Sequence, residues 1–233
     1  MRVLAIGAHP DDIEIYCAGT LLKCVKRGDA VTACHVSDGD MGHVVIEPEK
    51  LGKMRRAEAK AAAELGGFKH VWGGCHDLKI YDDRETRDKL VAIIREAKPD
   101  FIITHGLSDY MSDHTAVAKL VRDASFSASC PHYMPELGEA APLCPIYTMT
   151  NERGLDFAPI HYVDTSEEMD AKQRMLKCHE TQLVWLKDHD GVDILEVMTV
   201  TDRFYGIQCD AKYAEGFGEF IAGGRVRSKR LLP

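Results

Sequence analysis

Residues 3–14 of the chain read VLAIGAHPDDIE, an apolar run that leads directly into a polar turn. The run Val3–Gly7 is typical of a buried strand, and the residues about Glu14–Arg27 have the apolar spacing of a helix. Further along, Ala30–Val36 indicates a second strand. Strands that are separated by helices pair in parallel through right-handed crossovers. The sequence therefore predicts an α/β fold with a mostly parallel, doubly wound sheet and helices on both faces.

The alternation of strands and helices continues to about residue 130. Further helices are predicted over Pro48–Leu65, Arg84–Ala97 and about Asp113–Ala128, and further strands over His70–Trp72 and Phe101–Thr104. Prolines then interrupt the pattern. Beyond them we expect a strand at Pro145–Thr150, a helix at Thr165–Leu186 with Ser166 as its N-cap, a strand at Val197–Val200 and a last helix at Tyr213–Ile221. Since no linker or repeat divides the chain, we expect one domain over residues 1–233, with a core in about 1–130 and a loop-rich C-terminal completion over about 131–233.

The composition excludes several classes of protein. The chain has 233 residues and a formal net charge of −8, from 29 Lys and Arg against 37 Asp and Glu. This acidic balance, without a basic cluster, argues against nucleic acid as a partner. No apolar run of about 18 residues indicates a membrane span. Because the first predicted strand begins within the first few residues, we expect no signal peptide. We expect a cytoplasmic protein with a small-molecule substrate and no membrane partner.

The eight cysteines show no C-x-x-C spacing, and several lie within apolar patterns. Without an export signal, an even number of cysteines is no sign of a disulfide framework. We therefore expect free thiols that pack as small core residues.

Titratable residues crowd the loops that follow the predicted strands, which is where open α/β sheets bind ligands. His9 and Asp12 follow the first strand and are three residues apart, so one helical turn places both side chains on one side. They supply two of the three protein ligands that a catalytic zinc site needs, and His114, which opens a later helix, is the natural third. Asp11 lies between the first two and is suited to take a proton from a metal-activated water.

Simpler explanations exist for each of these residues alone. Asp11 and Asp12 also favour a helix N-terminus, because carboxylates are stabilised there. His9 alone also fits a hydrogen-bonded core histidine. The joint occurrence of His-Pro-Asp-Asp after one strand and Asp113-His114 after another favours the metal site. Two histidines and one aspartate also bind Fe²⁺ or cobalt, so the ligands alone do not select Zn²⁺.

At these residues the chain resembles the PIG-L (LmbE-like) family of zinc-dependent N-acetylglucosaminyl deacetylases. Residues 8–14, AHPDDIE, are similar to the family's A-H-P-D-D-x-E opening, and Asp113-His114 to its later D-H. Four further segments resemble family motifs in the same order: 55–66, 98–105, 178–182 and 213–217.

The resemblance implies a Rossmann-like fold and a metal-dependent N-deacetylase. It implies that His9, Asp12 and His114 bind Zn²⁺, that Asp11 is the general base and that Asp113 supports the site. Water would attack an acetamide carbonyl of an N-acetylglucosamine-type conjugate, and the products would be acetate and a free amine.

Two further family positions have two interpretations each. Arg55 occupies an arginine position that faces the substrate pocket in relatives, but it also fits an ion pair with Glu58 on an exposed helix. His179 matches a family helix position, but it fits core packing equally well. Relatives are often homo-oligomers, although the sequence itself indicates no interface.

One position departs from the family pattern. Many family deacetylases carry H-P-D-H, whose first histidine stabilises the oxyanion or protonates the leaving amine, whereas this chain has Met111-Ser112-Asp113-His114. Methionine donates no hydrogen bond, and losing one oxyanion donor costs about 10²–10³ in rate. Histidines in neighbouring loops are candidates to replace it: His43, His76 and His105.

Met111 is also compatible with a second reaction. The family contains a hydratase of an unsaturated oxo-carboxylic acid, a reaction without an amine leaving group. Arg55, Arg56 or Arg203 would then hold the substrate carboxylate. A third reading is a metal-binding protein without activity. We expect Ser37–Glu47 and Cys130–Pro145 to form the loops that determine specificity.

Overall fold

The computed structural model describes residues 1–233 and places the first apolar run at the centre of a sheet. In this strand, β1 (Arg2–Gly7), Val3 and Ala5 belong to one buried cluster, and Leu4 and Ile6 belong to another. Because successive strand side chains point to opposite faces, the sheet is covered on both of its faces.

The remaining elements follow in chain order. The strands are β2 (Ala30–Ser37), β3 (Lys69–Cys75), β4 (Phe101–Thr104), β5 (Ile146–Met149), β6 (His161–Asp164) and β7 (Ala214–Glu219). The helices are α1 (Asp12–Tyr16), α2 (Ala18–Lys26), α3 (Pro48–Gly66), α4 (Arg84–Ala97), α5 (Ser112–Ala128), α6 (Met169–Leu176), α7 (Glu180–Asp190) and α8 (Ile194–Gln208).

The seven strands lie in the order β3-β2-β1-β4-β5-β7-β6. The pairs from β3 to β5 are parallel, whereas β7 is antiparallel to both β5 and β6. The predicted mostly parallel sheet with helices on both faces is therefore confirmed. The strand order reverses around β1, which pairs with β2 on one side and β4 on the other. Such a switch opens a crevice at the carboxyl ends of the strands, and the loops after β1 and β4 meet there.

The first predicted helix proves to be two helices, α1 and α2, which are separated at Cys17. The break is stabilised by Glu215 of β7, whose carboxylate accepts the backbone N–H groups of Gly19 and Thr20 at 2.8 and 2.7 Å. These amides belong to the first turn of α2, where no partner exists within the helix itself. A side chain almost 200 residues away thus determines where α2 begins.

The single helix predicted over Thr165–Leu186 is also wrong, because α6 and α7 are separated near His179. The N-cap of α6 is Glu168, not Ser166. The Ser166 hydroxyl instead bonds the Asp164 carboxylate at 2.5 Å and so belongs to the end of β6. His179 interrupts the helix where its imidazole turns into the core towards the Glu14 carboxylate, at 3.2 Å.

Two further C-terminal predictions are reversed in the structure. The predicted strand Val197–Val200 lies within α8, whose N-terminus is capped by the Asp193 carboxylate. The predicted helix Tyr213–Ile221 is largely strand β7, which fills the place between β5 and β6. Tertiary pairing overrides local propensity in both segments.

The cysteines are all free, and five of the eight are buried, which agrees with their expected role as core thiols. None of the helices is both long enough and apolar enough to cross a bilayer.

Candidate active site

The turn after β1 brings His9 and Asp12 together. The His9 N–H donates a hydrogen bond to Asp12 Oδ2 at 2.7 Å, and α1 begins at Asp12. Asp11 is the N-cap residue and has a φ of 116°, in the left-handed region that is costly for a residue with a Cβ. Strain of this kind persists only where surrounding contacts enforce it, so the turn has a specific, enforced shape.

The side chains of His9, Asp12 and His114 converge at the crevice. His9 Nδ1 lies 3.2 Å from His114 Nε2 and 3.6 Å from Asp12 Oδ2, and His114 Nε2 lies 3.3 Å from Asp12 Oδ1. All three residues are buried. His9 Nδ1 and His114 Nε2 face only each other and the Asp12 carboxylate. Two imidazole nitrogens and a carboxylate at these distances fit the ligand set of a three-ligand zinc site.

Carboxylates hold both imidazoles from behind. Asp109 Oδ2 lies 2.8 Å from His114 Nδ1. On the far nitrogen of His9, Nε2, Asp77 Oδ1 lies at 3.2 Å and Asp113 Oδ2 at 3.3 Å. Metal-ligating histidines are typically oriented in this way, because the outer carboxylate selects the tautomer and raises the basicity of the ligand nitrogen. The arrangement leaves His9 Nδ1 and His114 Nε2 directed at one point.

The electrostatics of this cluster favour a positive charge at its centre. Burial lowers the pKa of His114, but the neighbouring carboxylates of Asp12 and Asp109 outweigh burial and raise it to about 9. Likewise, burial opposes the protonated form of His9, while its carboxylate neighbours raise its pKa well above the usual value. Burial raises the pKa of Asp12, yet the neighbouring His114 and His105 lower that pKa overall, to well below its usual value. A divalent cation would satisfy the same carboxylates.

Asp11 lies next to this cluster and beside Arg55. Burial raises the pKa of Asp11 to about 6, against the opposing effect of the nearby Arg55 guanidinium. A carboxylate with this pKa is a competent proton acceptor close to neutral pH. Arg55 Nη2 lies 3.7 Å from Asp11 Oδ2 and also donates to the Pro10 carbonyl at 2.8 Å.

Arg55 is not on an exposed helix face, so the proposed ion pair with Glu58 is wrong. Arg55 is only 2% exposed, and Glu58 instead accepts the Thr181 backbone N–H at 3.0 Å. The guanidinium also donates to the Gly39 carbonyl at 2.9 Å and so connects the loop after β2 to the turn after β1. Its Nε has no partner in the protein.

A cavity of about 530 Å³ opens above the cluster. The candidate residues that line it are His9, Asp11, Asp12, Arg55 and His114, while Asp113 lies behind His9. Apolar side chains form much of the remaining wall, and several of them come from α7, α8 and the turn between them: Trp185, Leu186, Val192 and Ile194. A pocket of this size with a few convergent polar groups is typical of a small-molecule site.

Met111 lines the cavity as the N-cap residue of α5, and none of the three candidate histidines lines it. His105 stacks behind His114, with ring centroids 4.0 Å apart, and its Nε2 is 3.1 Å from Asp12 Oδ2. His76 pairs with Asp40 at 2.8 Å. His43 Nδ1 accepts backbone N–H groups of its own loop. The structure does not bring any of them into the place of the missing imidazole.

The other candidate arginines also lie outside the cavity. Arg56 stacks over Trp72 at 4.1 Å, and Arg203 donates to the Lys212 carbonyl at 2.9 Å. His179 is fully buried against Glu14 and lines no part of the cavity, as core packing requires.

Only one of the two predicted specificity loops reaches the cavity. Met41 and Gly42 of Ser37–Glu47 line it, but no residue of Cys130–Pro145 does. Arg95 of α4 donates to carbonyls of that second segment, which packs against α4 instead. Residues Glu152 and Arg153 take its place at the cavity wall.

Sequence reasoning missed several residues of the site. Asp77 follows β3 and Asp109 follows β4, so their positions at strand ends were an available signal. Tyr16 lies four residues after Asp12 on α1, which was also readable from spacing. The wall from α7 and α8 had no such signal, because those helices are distant in the chain and their bounds were wrongly predicted.

Comparison with known proteins agrees with the fold and the site. The profile of the PIG-L family, described as GlcNAc-PI de-N-acetylase, matches residues 4–125, more than half of the chain. The chain belongs to this family, so the resemblance inferred from the motifs is confirmed. Relatives of the chain include proteins named as deacetylases.

Three curated relatives show the range of this similarity. A 1D-myo-inositol 2-acetamido-2-deoxy-alpha-D-glucopyranoside deacetylase of Nocardioides is 30% identical over 63% of this chain and 61% of its own length, so the chain spans less than two thirds of that enzyme. Diacetylchitobiose deacetylase of Thermococcus kodakarensis is 27% identical over 95% of this chain and 84% of its own. A 4-oxalmesaconate hydratase of Pseudomonas putida is 26% identical over 75% of this chain and 71% of its own.

The fold also matches a solved structure over nearly its full length. A 4-carboxy-2-hydroxymuconate hydratase from Pseudomonas putida superposes with a TM-score of 0.83 at 23% identity, covering 99% of this chain and 100% of the other. At this identity the match concerns the fold.

Proposed function

We propose that this chain is a zinc-dependent hydrolase that removes the acetyl group from an N-acetylglucosamine-type conjugate. The observation that carries the proposal is the convergence of His9, Asp12 and His114, with Asp11 beside them at the floor of one cavity. His9, Asp12 and His114 would hold the metal ion, with Fe²⁺ as the alternative to Zn²⁺.

A bound divalent cation supplies Lewis acidity and lowers the pKa of a coordinated water to about 7. The protein's own groups do the remaining work. Asp11 accepts the proton of the attacking water, and its pKa of about 6 keeps it ionised at neutral pH. The water oxygen bonds to the acetyl carbon, the carbon–nitrogen bond then breaks, and the departing amine takes a proton.

Arg55 supports this chemistry in two ways. Its guanidinium offsets part of the effect of burial on the pKa of Asp11, so that the carboxylate is available as a base. It also holds the Gly39 carbonyl and thereby the loop that carries Met41 and Gly42 to the cavity wall. We assign Arg55 to the substrate side of the site on this basis.

The test is release of acetate from a panel of N-acetylglucosamine conjugates by the zinc-loaded protein. We expect acetate and a free amine in equal amounts, and loss of both on removal of the metal. Asp11→Asn is the matched variant, because it keeps the shape of the turn while removing the base. A panel without acetate release from zinc-loaded or iron-loaded protein would count against the proposal.

A second function is favoured by one observation, the methionine at position 111. Hydration of an unsaturated oxo-carboxylic acid needs an activated water and a cation for the carboxylate, but no acid for an amine leaving group. In this structure the cationic side chains at the cavity are Arg55 and Arg153, not Arg56 or Arg203. The relative named as a hydratase shows that the family includes such an activity.

An ultraviolet assay separates the two functions, because hydration removes the conjugation of the substrate. Loss of absorbance with small conjugated oxo-acids, combined with no acetate release, would favour the hydratase. The reverse pattern would favour the deacetylase.

A further inference from the structure

Tyr16 occupies a position in the site that no part of the proposed mechanism uses. It is the last residue of α1, four residues after Asp12, so both side chains leave the helix on the same side. Its ring lines the cavity and meets the rings of His105 and His114 edge-on, with centroids 6.4 and 6.5 Å apart. Tyr16 therefore borders the imidazole of a proposed metal ligand.

The hydroxyl of Tyr16 is free to act on a ligand. Tyr16 is only 8% exposed, yet it lines the cavity and its hydroxyl makes no hydrogen bond within the protein. A phenol has a pKa of about 10, so its hydroxyl keeps its proton throughout the neutral range and remains a donor.

Several other candidate donors near the proposed metal ligands are already engaged or do not line the cavity. Met111 has no donor group, and His105 is stacked behind His114 and does not line the cavity. Both terminal nitrogens of Arg55 already donate to backbone carbonyls, and only its buried Nε has no partner. Tyr110 also lines the cavity but is 77% exposed at its mouth, where water competes for its hydroxyl.

We propose that the Tyr16 hydroxyl is the oxyanion donor of this enzyme, in the place of the histidine that position 111 lacks. The inference rests on the proposed deacetylation. As the water oxygen bonds to the acetyl carbon, the carbonyl π electrons move to the carbonyl oxygen, and the water proton passes to Asp11. Tyr16 donates a hydrogen bond to that oxygen and keeps its proton. When the carbonyl re-forms, the electron pair of the carbon–nitrogen bond leaves with the amine, which takes the proton that Asp11 received from the water.

This role is electrostatic, so it acts on the transition state and not on the bound substrate. A preorganised donor in a water-poor site is worth about 10²–10³ in kcat. Its removal lowers kcat and leaves KM nearly unchanged, because the hydrogen bond strengthens only as charge develops on the oxygen. A purely structural role would instead alter zinc content or thermal stability.

The experiment compares Tyr16→Phe with Tyr81→Phe in the zinc-loaded protein, since Tyr81 is exposed and lies outside the cavity. Each variant loses one hydroxyl, and the phenylalanine keeps the ring. For Tyr16→Phe we expect kcat to fall about 10²–10³-fold, with KM, zinc stoichiometry and melting temperature close to those of the unchanged protein. For Tyr81→Phe we expect little change in kcat. A Tyr16→Phe enzyme that retains its kcat overturns the inference.

A second measurement keeps this test independent of the substrate. Methylphosphonate is a tetrahedral anion that mimics the oxyanion, and its binding to zinc-loaded protein is measurable by calorimetry. Tyr16→Phe should weaken its binding about tenfold, which corresponds to loss of one hydrogen bond to a charged group of about 1.4 kcal/mol. If the protein releases acetate, the kcat of Tyr16→Phe tests the role of Tyr16 directly. If it releases none, the proposed function fails, and methylphosphonate binding tests the role of Tyr16 separately. Equal binding by the unchanged protein and Tyr16→Phe, or binding by neither, overturns that role.

Discussion

Asp109→Asn tests how the proposed metal ligands are held in place. His114 has one carboxylate behind it, Asp109 at 2.8 Å, whereas His9 has two, Asp77 at 3.2 Å and Asp113 at 3.3 Å. Loss of an outer carboxylate typically costs 10–100-fold in metal affinity. Since His114 has no second carboxylate on that nitrogen, we expect the upper part of this range, about 100-fold or about 2.7 kcal/mol.

The loop that carries Asp109 should survive the substitution. Asp109 Oδ1 accepts the Met111 backbone N–H at 3.0 Å, and the asparagine oxygen can still do so. The amide nitrogen then faces His114 Nδ1 and cannot accept its proton. The loss therefore concerns the orientation and basicity of the ligand.

The assay is a competition titration of zinc against a chelating dye, with melting temperature as the check on folding. Asp113→Asn is the matched variant, because Asp77 remains behind His9, and it should lose no more than about tenfold. Zinc affinity of Asp109→Asn within threefold of the unchanged protein, or a larger loss for Asp113→Asn, would refute the reasoning.

Three further predictions concern the base, a loop and the core. Because the base must be ionised and burial raises the pKa of Asp11 to about 6, kcat/KM should fall about tenfold per pH unit below that value, and a pH–rate profile measures this. Gly39→Ala places a Cβ 2.2 Å from Arg55 Nη1 at a φ of +63°, so urea titration should show about 1–3 kcal/mol lower free energy of unfolding. Lys172→Met leaves the buried carboxylates of Asp202 and Glu215 without their cation and should lower that free energy by about 3–5 kcal/mol. Lys53→Met should change it little, because Lys53 and its partner Glu49 are both exposed.

Apart from the break between α1 and α2, the elements of the N-terminal half agree with the prediction from sequence because their signals are local. Arg84–Ala97 and Phe101–Thr104 have the predicted bounds in the structure. Asp83 caps the helix by accepting the Thr86 N–H at 2.8 Å, and the apolar run of the strand is fully buried. Each element is stabilised by residues within or next to it, so a short window of sequence contained the necessary information.

The C-terminal third did not follow its local signals because distant contacts determine its elements. Glu215 ends up in a strand and pairs with Lys172, at 2.7 Å, while capping the first turn of α2. Those three segments are far apart in the chain, and their partnership appears only when the sheet is assembled. The residues of β7 were compatible with either helix or strand from their sequence. Pairing with β5 and β6 makes the segment a strand.

The sequence by itself determined the class of fold and the family, and it supplied the three proposed metal ligands and the proposed base, because strand ends and motif spacing are properties of short segments. Only the tertiary structure decided which side chains surround that site. It placed Asp77 and Asp109 behind the imidazoles, moved His105 out of the cavity and set Tyr16 at its floor. These outcomes depend on the direction of each side chain and on the packing of distant helices, and neither is encoded in the spacing of a motif.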